Sequence, residues 1–186
     1  MTKDLEKILS NPEVVKLLKQ KPTTETVISI YDIVAEMYGE GQIDIIAIGE
    51  LTNTLHLAFN VLDYIDRIPF GYLAGDDMMG YVIEDGITEI GAAAFWGCNE
   101  LTKITIPSTV TDISSAAFGE CPNLRFINLN SNNITWDPHT VFEGTEYISK
   151  IYFKGTIQDW ENIWDEPQPA DEIICEDGIL KRTKSI

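Results

Sequence analysis

Three cysteines, two histidines and the acid pairs Asp76-Asp77 and Asp165-Glu166 are the residues singled out in this chain for the chemistry they could do. Cys98 and Cys121 stand 23 residues apart in closely similar surroundings. A disulfide or a shared metal is one chemistry open to such a pair. Two buried thiols, each packing as a small hydrophobe, is the other and the simpler expectation. Cys175 has no companion at a metal-ligand spacing. His56 and His139 are isolated, and the chain holds no Ser-His-Asp order, no HExxH, no glycine-rich phosphate loop and no Cys-x-x-Cys pair. Asp76-Asp77 and Asp165-Glu166 could hold a divalent cation, although solvated turn acids account for them as well. The expectation is no catalytic residue, no metal and no cofactor.

The elements that carry these residues are bounded by size and charge. A chain of 186 residues suits one or two domains and needs no staples. Thirty acids against thirteen bases give a net charge of −17. That balance disfavours contact with nucleic acid or an anionic membrane, and favours basic partners. The opening stretch MTKDLEKILSNPEVVKLLKQ is amphipathic and charged, without the apolar run of an export signal, and no window reaches membrane-span length. With an odd cysteine count, the expectation is a cytoplasmic chain with reduced thiols.

Residues 1–64 read as a helical domain with five bases and ten acids. Asn11-Pro12-Glu13 is a helix start: a capping Asn, Pro in the first turn, and an acid at the positive end of the dipole. A second helical pattern restarts at Pro22 and Thr24, with Val27, Ile30, Tyr31, Val34 and Tyr38 at helical spacing until Gly39-Glu40-Gly41 breaks it. A third runs from about Gln42 to Tyr64, with Ile46, Leu55, Phe59 and Leu62 as its buried stripe and Gly49 as a potential interruption.

After residue 64 the pattern shortens and repeats. Ile87, Ile90, Ala94-Phe95, Cys98, Leu101, Ile104 and Ile106 are matched, 23 residues on, by Val110, Ile113, Ala117-Phe118, Cys121, Leu124, Ile127 and Leu129. A third unit with one residue inserted carries Ile134, Val141-Phe142, Ile148, Ile151 and Phe153, with Asp137 at the second isoleucine position and Thr145 at the cysteine. An upstream unit fits two registers. Ile65, Ile68, Tyr72-Leu73 and Met79 match at 22, whereas Met78, Tyr81 and Ile83 match at 23. A period of this size marks a solenoid: no unit can bury its own apolar face, and stacking buries them all. Leu-x-x-Ile-x-Ile reads as a strand and Ala-Phe as a short helical segment.

The pattern I-x-x-I-G-x-x-A-F-x-x-C-x-x-L-x-x-I-x-I-P, from Ile87 to Pro107 and repeated with Ser114 in place of Gly91, resembles the BspA-like leucine-rich repeat family. Gly155-Thr156 with Trp160, and Ile174 to Gly178, resemble the ending of such arrays. The resemblance does not cover the helical N-terminal domain; it implies, over residues 65–186, a leucine-rich-repeat solenoid of three to four coils with a small parallel sheet, and the two parts together give an α+β chain. A C-terminal cap is expected at about 152–180.

In such a solenoid the residues between buried strand positions face outward. They read Thr102, Lys103 and Thr105, then Arg125, Phe126 and Asn128, then Ser149, Lys150 and Tyr152. Residues 65–151 hold twelve acids and four bases, and three of the bases fall in this set with no acid among them. The function expected is therefore a non-catalytic protein–protein interaction module that presents this sheet face to another protein, without nucleic acid or membrane. The competing expectation is an acidic intracellular inhibitor, of the kind some viruses use, that occupies the nucleic-acid groove of a basic host protein.

Overall fold

The computed structural model describes residues 2–57 and 59–182, with the side chain of Leu62 outside that set. The first three helices each start on a side-chain cap. The Thr2 hydroxyl accepts the Leu5 N–H and opens α1 (Lys3–Ser10). Asn11 Oδ1 accepts the N–H groups of Glu13 and Val14 at 2.9 and 3.3 Å and opens α2 (Pro12–Leu18). Thr23 and Thr26 form a reciprocal capping box for α3 (Thr24–Gly39). The helix α4 spans Ile46–His56 and is followed by a 3-10 turn at Val61–Asp63.

The third helical stretch is thus shorter than its apolar pattern suggests. Leu55 is buried and Phe59 half-buried, but Ile46 stands partly exposed at the helix start. Leu62 falls outside the described side chains. Gly49 does not interrupt α4; it lies buried inside it. A Cβ at Gly49 would overlap the carbonyl oxygen of Ala74, so glycine is what lets α4 lie directly on the first coil. Glycine inside a helix costs about 1 kcal/mol relative to alanine. The close approach offsets that cost by burying Ile48 and Leu51 completely.

The strands are short and regular: β1 (Arg67–Ile68), β2 (Gly80–Val82), β3 (Glu89–Ile90), β4 (Lys103–Ile106), β5 (Asp112–Ile113), β6 (Phe126–Leu129), β7 (Thr135–Trp136) and β8 (Ile148–Phe153). After them come α5 (Ile157–Ile163), β9 (Ala170–Ile174) and β10 (Ile179–Lys181). Each coil contributes one strand to each of two sheets. One is the parallel ladder β1-β3-β5-β7; the other runs β10-β9-β8-β6-β4-β2, parallel except for β10 on β9.

Both registers of the degenerate first coil are real. Ile68 pairs with Ile90, 22 residues on, while Tyr81 pairs with Ile104, 23 residues on. The first coil is one residue short between its turns and β2. Of the two methionines the spacings offer for the place of Leu101, Met78 takes it and packs on the core, while Met79 is 70% exposed. The inserted unit departs from the expected alignment. Trp136, not Asp137, pairs with Ile113. Asp137 instead takes the turn position, where its carboxylate accepts the His139 N–H.

The Ala-Phe segments form no helix. They are runs of turns with left-handed corners, two in each of the first three coils (Gly71 and Gly75, Ala93 and Gly97, Ala116 and Glu120) and one, Gly144, in the fourth. Left-handed residues every few positions cannot propagate α-helix. The turns bond from coil to coil instead, as in Leu73 N–H to Ala94 O and Phe95 N–H to Ala117 O.

Phe95, Phe118 and Phe142 stack along the axis with centroids 5.5 and 5.9 Å apart. At the C-terminal end Trp136, Trp160 and Trp164 close the stack. Each indole N–H is used, on Ile163 O, Gln168 Oε1 and Pro167 O respectively. The buried apolar residues form one continuous cluster from Leu5 to Cys175. Among the described residues, no helix is long and apolar enough to cross a membrane.

Candidate functional site

The strand pattern fixes which side chains share a face. In β4, β6 and β8 the buried residues Ile104 and Ile106, Ile127 and Leu129, and Ile151 and Phe153 alternate with exposed or half-buried ones. The parallel register aligns the latter in rows. One row runs Gly80, Lys103, Phe126, Lys150, Glu172 and Lys181; its neighbour runs Val82, Thr105, Asn128, Tyr152, Ile174 and Ile179. All nine residues singled out from the sequence stand on or beside this face. Thr102, Arg125 and Ser149 precede the two rows, bonded in sequence from Ser149 N–H to Arg125 O and from Arg125 N–H to Thr102 O. Phe126 is 38% and Tyr152 43% exposed, large apolar surface for a sheet in water.

The face is less basic than its three bases suggest. β9 brings Glu172 within 3.0 Å of Lys150 and 3.8 Å of Lys181. The hydrogen bond from Lys150 holds the Glu172 carboxyl below the usual carboxylate range and raises the Lys150 ammonium. Arg125 is committed to its own turn: it donates to Pro122 O and Leu124 O and lies 5.7 Å from the Tyr147 ring centre. Lys103 forms no ion pair among the described residues. What remains is an amphipathic strip, with Lys103 and Phe126 at its middle and Tyr152, Ile174 and Ile179 toward one side. Glu172, Ile174, Ile179 and Lys181 were missed because they follow the recognised repeat. In β9 Ala170 and Ile173 are buried and flank the polar pair Asp171-Glu172, the same spacing as buried Ile148 and Ile151 in β8.

The cysteines are structural. Cys98 Sγ–H points at Leu73 O and Cys121 Sγ–H at Phe95 O, both at 3.1 Å, and Thr145 donates to Phe118 O at 2.7 Å. Burial pushes both thiols up to about 12. Each rung thus ties one coil to a carbonyl of the coil before it, which is why a threonine can stand in for the third cysteine. Cys175 is buried too, and burial raises its thiol. Among the described residues, no group of three His, Cys, Asp or Glu is placed to hold a metal ion.

The junction of helices and solenoid is grooved. Tyr38, Ile45 and Ile46 face Phe70, Ala93 and Trp96 across it, with Tyr38 and Phe70 5.2 Å apart. His56 Nε2 meets the Tyr72 hydroxyl at 3.0 Å and Tyr31 meets Thr52 at 2.6 Å, both between α4 and its neighbours.

Two stacked parallel ladders, a core phenylalanine column and a coil-to-coil cysteine ladder define a leucine-rich-repeat solenoid. The chain belongs to the BspA-type leucine-rich repeat family, whose sequence model matches residues 67–163 in six copies. No curated protein and no solved structure matches it.

Proposed function

We propose that the chain is a non-catalytic protein-interaction module whose partner docks on the face of β4, β6, β8 and β9. The observation that carries this reading is the register that sets Lys103, Phe126, Lys150 and Glu172 in one row beside Thr105, Asn128 and Tyr152. Aromatic side chains at the centre of a contact supply large buried area at little entropic cost, and charged neighbours set orientation and approach rate. The partner is another protein with an apolar strip bordered by charges of both signs. Membership in a repeat family supports display of such a surface but does not select the partner.

The test is a paired capture from the native host. The wild-type chain and the double variant Lys103→Glu/Phe126→Ala are used as baits, and bound proteins are read by mass spectrometry. A partner retained by wild type and lost by the variant supports the face. A partner set identical for both baits removes it.

A further inference from the structure

We propose a second interaction surface: the open edge of β2, which accepts an extended basic segment of a partner protein as an added strand. β2 is the outermost strand of its sheet and pairs only with β4. Thr102 N–H bonds to Met79 O and Ile83 N–H to Thr105 O, so the odd-numbered residues bond toward β4. The N–H and C=O groups of Gly80 and Val82 therefore point out of the sheet. Edge strands in water are blunted by lysine, proline, a bulge or a covering element. Met79-Gly80-Tyr81-Val82 carries neither lysine nor proline. Nor is it covered: Gly80 is exposed, and Met79 and Val82 are 70% and 68% exposed.

Charge selects the occupant. Asp77 stands before the strand, and Glu84 and Asp85 follow it. Glu84 and Asp85 share one surface depression with Asp63 and Asp66. None of these five carboxylates forms an ion pair among the described residues. A second copy of this chain is repelled: pairing two β2 edges antiparallel sets Asp77 of one copy beside Glu84 and Asp85 of the other. A strand with lysine or arginine at both ends and apolar residues between meets acids at each end, with Met79 and Val82 in the middle. Backbone bonds at such an edge supply affinity and the flanking charges supply specificity.

The probe is a fluorescent octapeptide, Lys-Arg-Thr-Val-Thr-Val-Lys-Arg, with a control in which glutamate replaces its four basic residues. The full chain is titrated at low and at physiological salt, and amide exchange is read residue by residue. The expected result is binding of the basic peptide alone, weakened by about tenfold or more on adding salt. Exchange at Gly80 and Val82 slows on binding. Val82→Pro removes the outward N–H without touching the bonds to β4, and Asp77→Lys/Glu84→Lys removes the charge match. Both variants lose binding, while Phe126→Ala keeps it. No binding of the basic peptide, equal binding of the acidic one, or unchanged exchange at Gly80 and Val82 overturns the proposal. So does a low-salt dimer of the chain that protects the same two amides.

Discussion

At the residue scale, single side chains carry the bonds between coils. Thr145 does the work of a cysteine and more, because its hydroxyl donates to Phe118 O and accepts the Cys121 N–H. Thr145→Val keeps the shape and orphans a buried carbonyl and a buried amide, so it costs about 2–4 kcal/mol by urea unfolding. Thr145→Cys restores the rung toward Phe118 and costs less. His56 supplies a pH effect. Burial depresses its pKa against a partial counter-pull from Glu84 and Asp63. A depressed histidine favours the fold above its unfolded value, near 6.5, and that contribution is lost as pH falls through the lower folded value. Unfolding midpoints of wild type are therefore expected to fall faster than those of His56→Gln as pH is lowered from 7 to 5. Parallel curves would assign the acid sensitivity to other groups.

At the element scale, α4 is the joint. Gly49 has no room for a side chain, whereas Gly39 at the end of α3 has nothing within 4 Å of a built Cβ. Gly49→Ala is expected to destabilise the chain by about 3 kcal/mol, since backbone must move to admit the methyl group. Gly39→Ala is expected to be neutral or to stabilise by up to about 1 kcal/mol through the unfolded state. Thermal unfolding of the pair of variants checks both. Much of this was legible beforehand: Asn11, Thr24 and the Gly39–Gly41 break mark real helix ends, because caps act locally. The role of Gly49 was not legible, because its reason lies in Ala74, 25 residues away. The turns at Ala-Phe were misread for a related cause. Alanine favours helix, and only bonding to the next coil holds Ala93 and Ala116 at left-handed φ.

At the scale of the whole molecule, the repeat made the sheet face readable and left its borders unread. The nine outward residues follow from a 23-residue period with one residue inserted before the third strand, since a strand in a stack repeats its neighbour's orientation. Glu172 on β9 lies beyond the period, so its neutralisation of Lys150 could be seen only once the strands were side by side. The first coil was ambiguous because it mixes two spacings, and a period search assumes one.

The apolar core is closed at both ends of the stack, while the backbone edge of β2 stays open. The helices seal the first coil through Gly49 and Ile48, and Trp136, Trp160 and Trp164 seal the last. In the strands the middle coils pair only with neighbouring coils, although Ala93 and Trp96 also face the helices across the groove. Length is therefore a free variable of this architecture. Duplicating the segment from Ile87 to Thr109 would add one rung to each ladder and widen the exposed face by about 4.8 Å, leaving both seals intact. Gene duplication can thus resize the surface a partner meets in discrete steps, without redesigning what keeps the chain folded.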